Sequence, residues 1–173
     1  MKNTIYVTRE NNNYYLTYKD FKEICYIGKN GLTNNKQEGD LKTPIGEFGL
    51  GLIFGTHPKS EIKLRHELDY VEINQNLYWI DDINSKYYNQ LVDISKTKKD
   101  WISAEDLQAN AIPYEYAIEI KTNPNNIPGK GSAIFIHCKN KDYTAGCIAI
   151  SKDKMKKLVG MINKDTKINI NNI

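Results

Sequence analysis

Cysteine is scarce in this sequence, which has three such residues in 173: Cys25, Cys138 and Cys147. A set this small and odd in number does not form the disulfide framework of a small secreted domain. No Cys-x-x-Cys pair is present to suggest a closed zinc site. At least one thiol must stay free, so the cysteines are expected to be buried packing residues or, in one case, a reactive group.

Long apolar segments are also missing. The first ten residues contain no apolar stretch of the length found in a signal peptide, and no later run is long enough for a transmembrane helix. The net charge is only +3, and no segment interleaves Lys and Arg with aromatic residues. The sequence therefore predicts no transmembrane segment and no nucleic-acid partner.

Short apolar or alternating segments bounded by Gly, Asn and Pro dominate the chain. This pattern predicts a mostly β fold with one or two helices, and the length fits one domain, residues 1–173. The expected strands are residues 4–8, 14–18, 21–27, 116–120, 133–137 and 166–170, with a hairpin formed by 71–73 and 77–80.

Two segments have helical features. Residues 152–163, preceded by Ser151 as an expected N-cap, carry one apolar face formed by Met155, Leu158, Val159 and Ile162. Residues 103–107 are expected to form a short helix with Ser103 as its N-cap.

His137 and Cys147 are the most informative pair. An apolar run leads into the histidine, and a polar loop then leads to the cysteine and a second apolar run, residues 148–150. Two buried strands joined by a short loop place both side chains at one edge of a sheet, where an imidazole favours ionisation of a thiol nucleophile. Gly146 would let the backbone approach a substrate, and N–H groups around Cys147 would form an oxyanion hole.

Two other interpretations of this pair stay open. A cysteine at the start of a strand is often inert packing. A zinc site formed by His137, Cys138 and Cys147 is disfavoured, because adjacent residues in a strand point to opposite faces and a closed site needs four ligands. Neither a metal nor a cofactor is expected.

Two separate motifs resemble the catalytic domain of the L,D-transpeptidase family, the YkuD-type peptidoglycan cross-linkers. One is a histidine followed by Thr-x-Gly-Cys and an apolar residue, carried by His137, Thr144, Gly146, Cys147 and Ile148. The other is the upstream Gly-Asp-x-x-Thr-Pro-x-Gly-x-Phe, carried by residues 39–48. Residues 79–82, 87–89 and 128–132 resemble one branch of the family, so the similarity extends from Thr4 to Leu158.

The resemblance implies a β-sandwich of mixed sheets with the Cys–His site in a groove. Cys147 would be the nucleophile that forms a thioester on a tetrapeptide stem, and His137 would be the base. Thr144 would either orient the imidazole or bond the backbone. The implied function is peptidoglycan L,D-transpeptidase; an L,D-carboxypeptidase, or a cell-wall-binding module with a decayed site, stays as an alternative.

Further expectations concern individual aromatic and histidine residues. The groove would be lined by aromatic residues, for which the candidates are Trp79, Tyr114 and Tyr116, although half-buried sheet aromatics are the simpler interpretation of each. His57 and His66 are expected in loops or at the surface.

The expected partners are peptidoglycan stem peptides, with carbapenems as possible inhibitors. The commonest family pattern has His and Arg where this chain has Ala145 and Ala149, so acylation by a carbapenem should be slow for lack of the arginine. The protein is expected to act outside the membrane, at the cell wall, with an export segment trimmed from this chain.

Overall fold

The architecture is built almost entirely from β-strands. The structure is a computed structural model that describes residues 3–65 and 67–172, and in these residues the chain forms fourteen strands, one α-helix and two 3₁₀ turns. His66, with its expected loop or surface position, lies outside the described residues. Within them, no helix combines the length and the apolar character that crossing a bilayer requires.

The elements follow one another in this order: β1 (Thr4–Glu10), β2 (Asn13–Tyr18), β3 (Phe21–Cys25), β4 (Leu32–Thr33), β5 (Thr43–Pro44), β6 (Gly46–Gly55), a 3₁₀ turn (Lys59–Glu61), β7 (Tyr70–Glu72), β8 (Leu77–Ile80), β9 (Leu91–Asp93), β10 (Ala104–Asp106), a 3₁₀ turn (Pro113–Glu115), β11 (Ala117–Ile120), β12 (Phe135–Cys138), β13 (Ile148–Ile150), α1 (Lys152–Met161) and β14 (Lys167–Ile170).

The largest sheet runs in the order β13-β12-β11-β6-β14-β1-β2-β3, with β7 beside β6. It is mixed, because β12 pairs with β13, β1 with β14 and β6 with β7 in parallel, whereas β1 with β2 and β11 with β12 are antiparallel. A bridge between Tyr26 and Ala149 joins the two ends of this path. The sheets thus nearly close into a barrel-like sandwich, which confirms the expected mostly β fold of mixed sheets.

Alternation along the strands decides which side chains fill the interior. Every second residue of a strand faces the same side, and in β1, β2 and β14 the inward set is apolar and buried: Ile5, Val7, Leu16, Tyr18, Ile168 and Ile170. The predicted helix is confirmed, and α1 covers this core with Met155, Leu158 and Val159. Cys138 belongs to the same core and is 2% exposed.

A second core lies beneath the region where β12 and β13 meet. It is aromatic, and its rings pack edge to face at centroid separations of 4.8–5.6 Å between Phe135 and each of Phe54, Trp79 and Tyr114. Cys147 is part of this cluster. The aromatic core therefore forms the rigid base on which the cysteine lies.

Two local expectations are wrong, and a third holds only in part, because Ser151 is the N-cap residue of α1 but its hydroxyl does not bond to the helix. Residues 104–106 form strand β10 rather than a helix, because they pair antiparallel with β8 and this pairing overrides the local cap signal. Residues 71–73 and 77–80 do not form a hairpin, since β7 pairs with β6 and β8 pairs with β9 and β10. The Ser151 hydroxyl donates instead to Glu23 at 3.0 Å.

Candidate active site

The candidate site is formed where β12 and β13 run side by side. The two strands are parallel, with His137 opposite Ala149, and Cys147 lies just before β13. Cys147 and Ala149 are two residues apart and face the same side as His137. The His137 and Cys147 side chains, each 8% exposed, line one cleft of about 370 Å³.

The His137 imidazole is held as a neutral base. Its Nδ1 lies 2.8 Å from the carbonyl oxygen of Cys138. Because a carbonyl oxygen only accepts, Nδ1 must carry the proton, which leaves Nε2 with a free lone pair. Burial lowers the pKa of His137 below its usual 6.5. The imidazole is therefore unprotonated at neutral pH, as a general base must be.

The Cys147 thiol is also neutral in the resting protein. Its Sγ donates to the carbonyl oxygen of Ala133 at 3.2 Å and accepts from the N–H of Phe135 at 3.3 Å. Burial, reinforced by the carboxylate of Glu105, raises the pKa of Cys147 to about 12. The thiol hydrogen bonds to the backbone in this state, and its activation by the imidazole stays a prediction.

The loop before Cys147 is tied by its own side chains. Thr144 Oγ1 donates to the carbonyl oxygen of Cys147 at 2.7 Å and accepts from the N–H of Gly146 at 3.0 Å. Of the two roles expected for Thr144, the structure therefore supports bonding to the backbone. Gly146 has φ +142°, and a Cβ there would lie 2.9 Å from the carbonyl oxygen of Lys42. Only glycine fits this position without strain.

Thr43, in the upstream motif, holds the same loop from below. Its side chain is fully buried; Oγ1 donates to the carbonyl oxygen of Gly146 at 2.8 Å and accepts from the N–H of Gly28 at 2.9 Å. The upstream motif thus contacts the Cys147 loop directly. Thr43 was not among the expected site residues, although the threonine of that motif was the available signal.

Of the three candidate groove aromatics, only Tyr114 lines the cleft. Its ring meets that of His137 edge to face at 5.6 Å. Trp79 is 2% exposed and lies in the aromatic core, with its indole N–H donating to Asn89. Tyr116 stacks on His57 at 4.8 Å, away from the cleft. The structure therefore does not bring Trp79 and Tyr116 to the site.

Opposite charges flank the thiol. Glu105, in β10, accepts a short hydrogen bond from Tyr114, and burial raises the pKa of this carboxyl above its usual value. Lys36 enters from the other side and forms a short ion pair with Asp40. No motif marked Glu105 or Lys36 as site residues. Among the residues that the structure describes, no group of three or more His, Cys, Asp or Glu is arranged to hold a metal ion.

Comparison with known proteins identifies the family of the chain. The family model described as the YkuD L,D-transpeptidase catalytic domain matches residues 2–170. The chain therefore belongs to the YkuD L,D-transpeptidase family, and the resemblance drawn from the two motifs is confirmed.

One solved structure to which the chain is similar is L,D-transpeptidase 1 of Mycobacterium tuberculosis, with 12% identity and a TM-score of 0.41. The match covers 96% of this chain and 60% of the other, so this chain spans about three fifths of that protein's length. No curated protein matches the sequence.

Proposed function

We propose that the protein is a peptidoglycan L,D-transpeptidase that cross-links tetrapeptide stems through a thioester on Cys147. Its family acts on peptidoglycan. One arrangement carries the proposal: a buried thiol and a buried neutral imidazole, on neighbouring parallel segments, face one cleft. Because that substrate lies outside the cytoplasmic membrane, we also propose an extracytoplasmic location.

Acylation begins when Sγ of Cys147 attacks the carbonyl carbon of the L-configured centre of a tetrapeptide stem. As the S–C bond forms, the thiol proton passes to Nε2 of His137, and the π electrons of the carbonyl move to its oxygen. The oxyanion then collapses and the C–N bond breaks. His137 returns the proton to the departing amine of the terminal D-amino acid, and a thioester remains.

Deacylation repeats these steps with a second nucleophile. The amine of an acceptor stem attacks the thioester, and His137 takes a proton from that amine. As the C–S bond breaks, His137 passes this proton to sulfur, which restores the thiol and the neutral imidazole. Water in place of the amine would release a tripeptide instead. The acceptor thus decides between the transpeptidase and the carboxypeptidase outcome, while the role of Cys147 is the same in both.

Incubation with purified disaccharide-tetrapeptides, followed by mass spectrometry, tests the proposal. Cross-linked dimers that have lost one terminal residue are expected, whereas tripeptides alone would indicate the carboxypeptidase. Cys147→Ala should form neither product. Cys138→Ala is the matched control, because that thiol lies in the main core away from the cleft, and it should keep most of the turnover.

Turnover by Cys147→Ala would contradict the mechanism. If the unaltered protein formed no product although its Cys147 reacts with an alkylating reagent, the interpretation as a binding module with a decayed site would replace the enzyme.

A further inference from the structure

The path taken by the Lys36 side chain is unusual. Its aliphatic part passes Gly131 and its ammonium reaches Gly146, the residue before Cys147. A Cβ added to Gly131 would lie 2.9 Å from Lys36 Cγ, and one added to Gly146 would lie 3.3 Å from Nζ. Both glycines have positive φ, +98° and +142°. Because Gly131 and Gly146 have no side chains, the Lys36 side chain passes between them and its ammonium lies beside the loop that precedes Cys147.

This ammonium is buried and charged. The Lys36 side chain is 9% exposed and pairs with Asp40, which also accepts backbone N–H groups of Gln37 and Lys42, both at 2.9 Å. Against the effect of burial, the bond from Lys36 and these backbone donors hold the pKa of Asp40 below its usual value, so the carboxylate is ionised. An ammonium has three N–H donors. The pair with Asp40 fixes its position and leaves donors for a second anion.

Cys147, the residue after Gly146, is where an anion would form in the reaction. The Gly146 N–H, a natural oxyanion donor, is already taken by Thr144 Oγ1 at 3.0 Å. Lys36 lines the same cleft as Cys147, and its positive charge lowers the pKa of the thiol, against the effects of burial and Glu105. The Lys36 ammonium is thus within electrostatic reach of Cys147 Sγ. It lies beside Gly146, whose N–H is not available as a donor.

We propose that Lys36 is a catalytic residue whose ammonium stabilises the negative charge that forms at Cys147, first on sulfur and then on the oxygen of the tetrahedral intermediate. The step on sulfur does not depend on the enzyme's substrate; the step on oxygen rests on the proposed function. In the tetrahedral intermediate the carbonyl oxygen gains the electron pair of the C=O bond, and the ammonium stabilises that charge without transferring its proton.

Alkylation of Cys147 tests the step on sulfur without any peptidoglycan substrate. Sγ displaces iodide from iodoacetamide, which is neutral, or from iodoacetate, which carries a carboxylate. Lys36→Met keeps the aliphatic length but removes the charge, so both reagents should react more slowly. For each unit by which the pKa of the thiol rises, the alkylation rate should fall about threefold. The thiolate fraction falls tenfold, but a thiolate of higher pKa is more nucleophilic and offsets part of that loss.

Two further variants keep the result interpretable. The double variant, Lys36→Met with Asp40→Asn, removes both members of the ion pair. Comparing its alkylation rate with that of Asp40→Asn alone gives the effect of the lysine charge, because neither protein contains an unpaired Asp40 carboxylate. Lys141→Met removes a lysine from the exposed loop at the rim of the same cleft and should leave the rates unchanged.

The proposal would be overturned if Lys36→Met were alkylated as fast as the unaltered protein, and the double variant as fast as Asp40→Asn. Slowing confined to iodoacetate would also overturn it, because Lys36 would then only attract carboxylate-bearing molecules.

Turnover of disaccharide-tetrapeptides tests the step on oxygen. Lys36→Met should lower kcat about a hundredfold, as removal of one oxyanion donor does, with KM nearly unchanged, and Lys36→Arg should recover part of the loss. A rise in KM at constant kcat would assign Lys36 to substrate binding and contradict catalysis by it. If the unaltered protein showed no turnover while the alkylation effect persisted, the proposed function would fail and the inference about the thiolate would stand.

Discussion

Thr43→Val is the substitution that best tests whether the upstream motif supports the cysteine loop. Valine has the shape of threonine but lacks the hydroxyl, so the fully buried site keeps its packing while two hydrogen bonds disappear. The buried N–H of Gly28 and the carbonyl oxygen of Gly146 then lose a partner. An unsatisfied buried polar group costs about 1–3 kcal/mol, so the free energy of unfolding should fall by about 2–4 kcal/mol.

Thermal denaturation measures this loss. For a protein of this length, each kcal/mol corresponds to about 2–4 °C in Tm, which gives an expected decrease of roughly 5–15 °C. Thr43→Ser keeps the hydroxyl and should restore most of the stability. Alkylation of Cys147, followed in parallel, should change in Thr43→Val because Gly146 is released. A Tm within about 2 °C of the unaltered protein would refute the idea that Thr43 holds the loop.

Three other predictions concern the chemistry of the cleft. Because burial lowers the pKa of His137, the imidazole stays neutral to more acidic pH, so the acidic limb of kcat/KM should lie below pH 6.5; a limb above that value would contradict the assignment. Glu105→Gln removes a carboxylate that raises the pKa of Cys147, so alkylation at pH 8 should become faster, and an unchanged or slower rate would argue against this effect. A carbapenem should acylate Cys147 slowly and leave a thioester adduct that carries the full mass of the inhibitor with its β-lactam ring opened, whereas an adduct that persists in Cys147→Ala would place it elsewhere.

Part of this fold and site could be predicted from the sequence. The apolar runs around His137 and Cys147 implied two buried strands, and alternation put Cys138 in the core. Sequence cannot tell which face of a strand meets a cleft, so Trp79 and Tyr116 were chosen as groove residues although one lies in the aromatic core and the other stacks away from the cleft.

The charged residues of the site were not predictable for a different reason. Glu105 reaches the cleft because β10 pairs with β8, and this long-range pairing replaces the helix that the local sequence suggests. Lys36 reaches it through a channel between Gly131 and Gly146. Neither residue lies within a catalytic motif. Their positions at the cleft are set by contacts between segments far apart in the chain, which the local sequence does not reveal.

The resting charges of the site restrict how the reaction can begin. Burial raises the pKa of the Cys147 thiol to about 12, so little thiolate is present at neutral pH in the free protein. Protonating His137 first is also unfavourable, because its burial disfavours the cation. A thiolate and an imidazolium therefore form here only where their charges are stabilised by each other and by neighbouring groups.

Negative charge on sulfur should therefore be short-lived, because it passes to the carbonyl oxygen of the substrate as the S–C bond forms. A group that stabilises the reaction must then act on both atoms in turn. The Lys36 ammonium reaches Gly146, the residue before Cys147, and is therefore placed to act on the charge from the moment the thiol loses its proton until a carbonyl oxygen has accepted it.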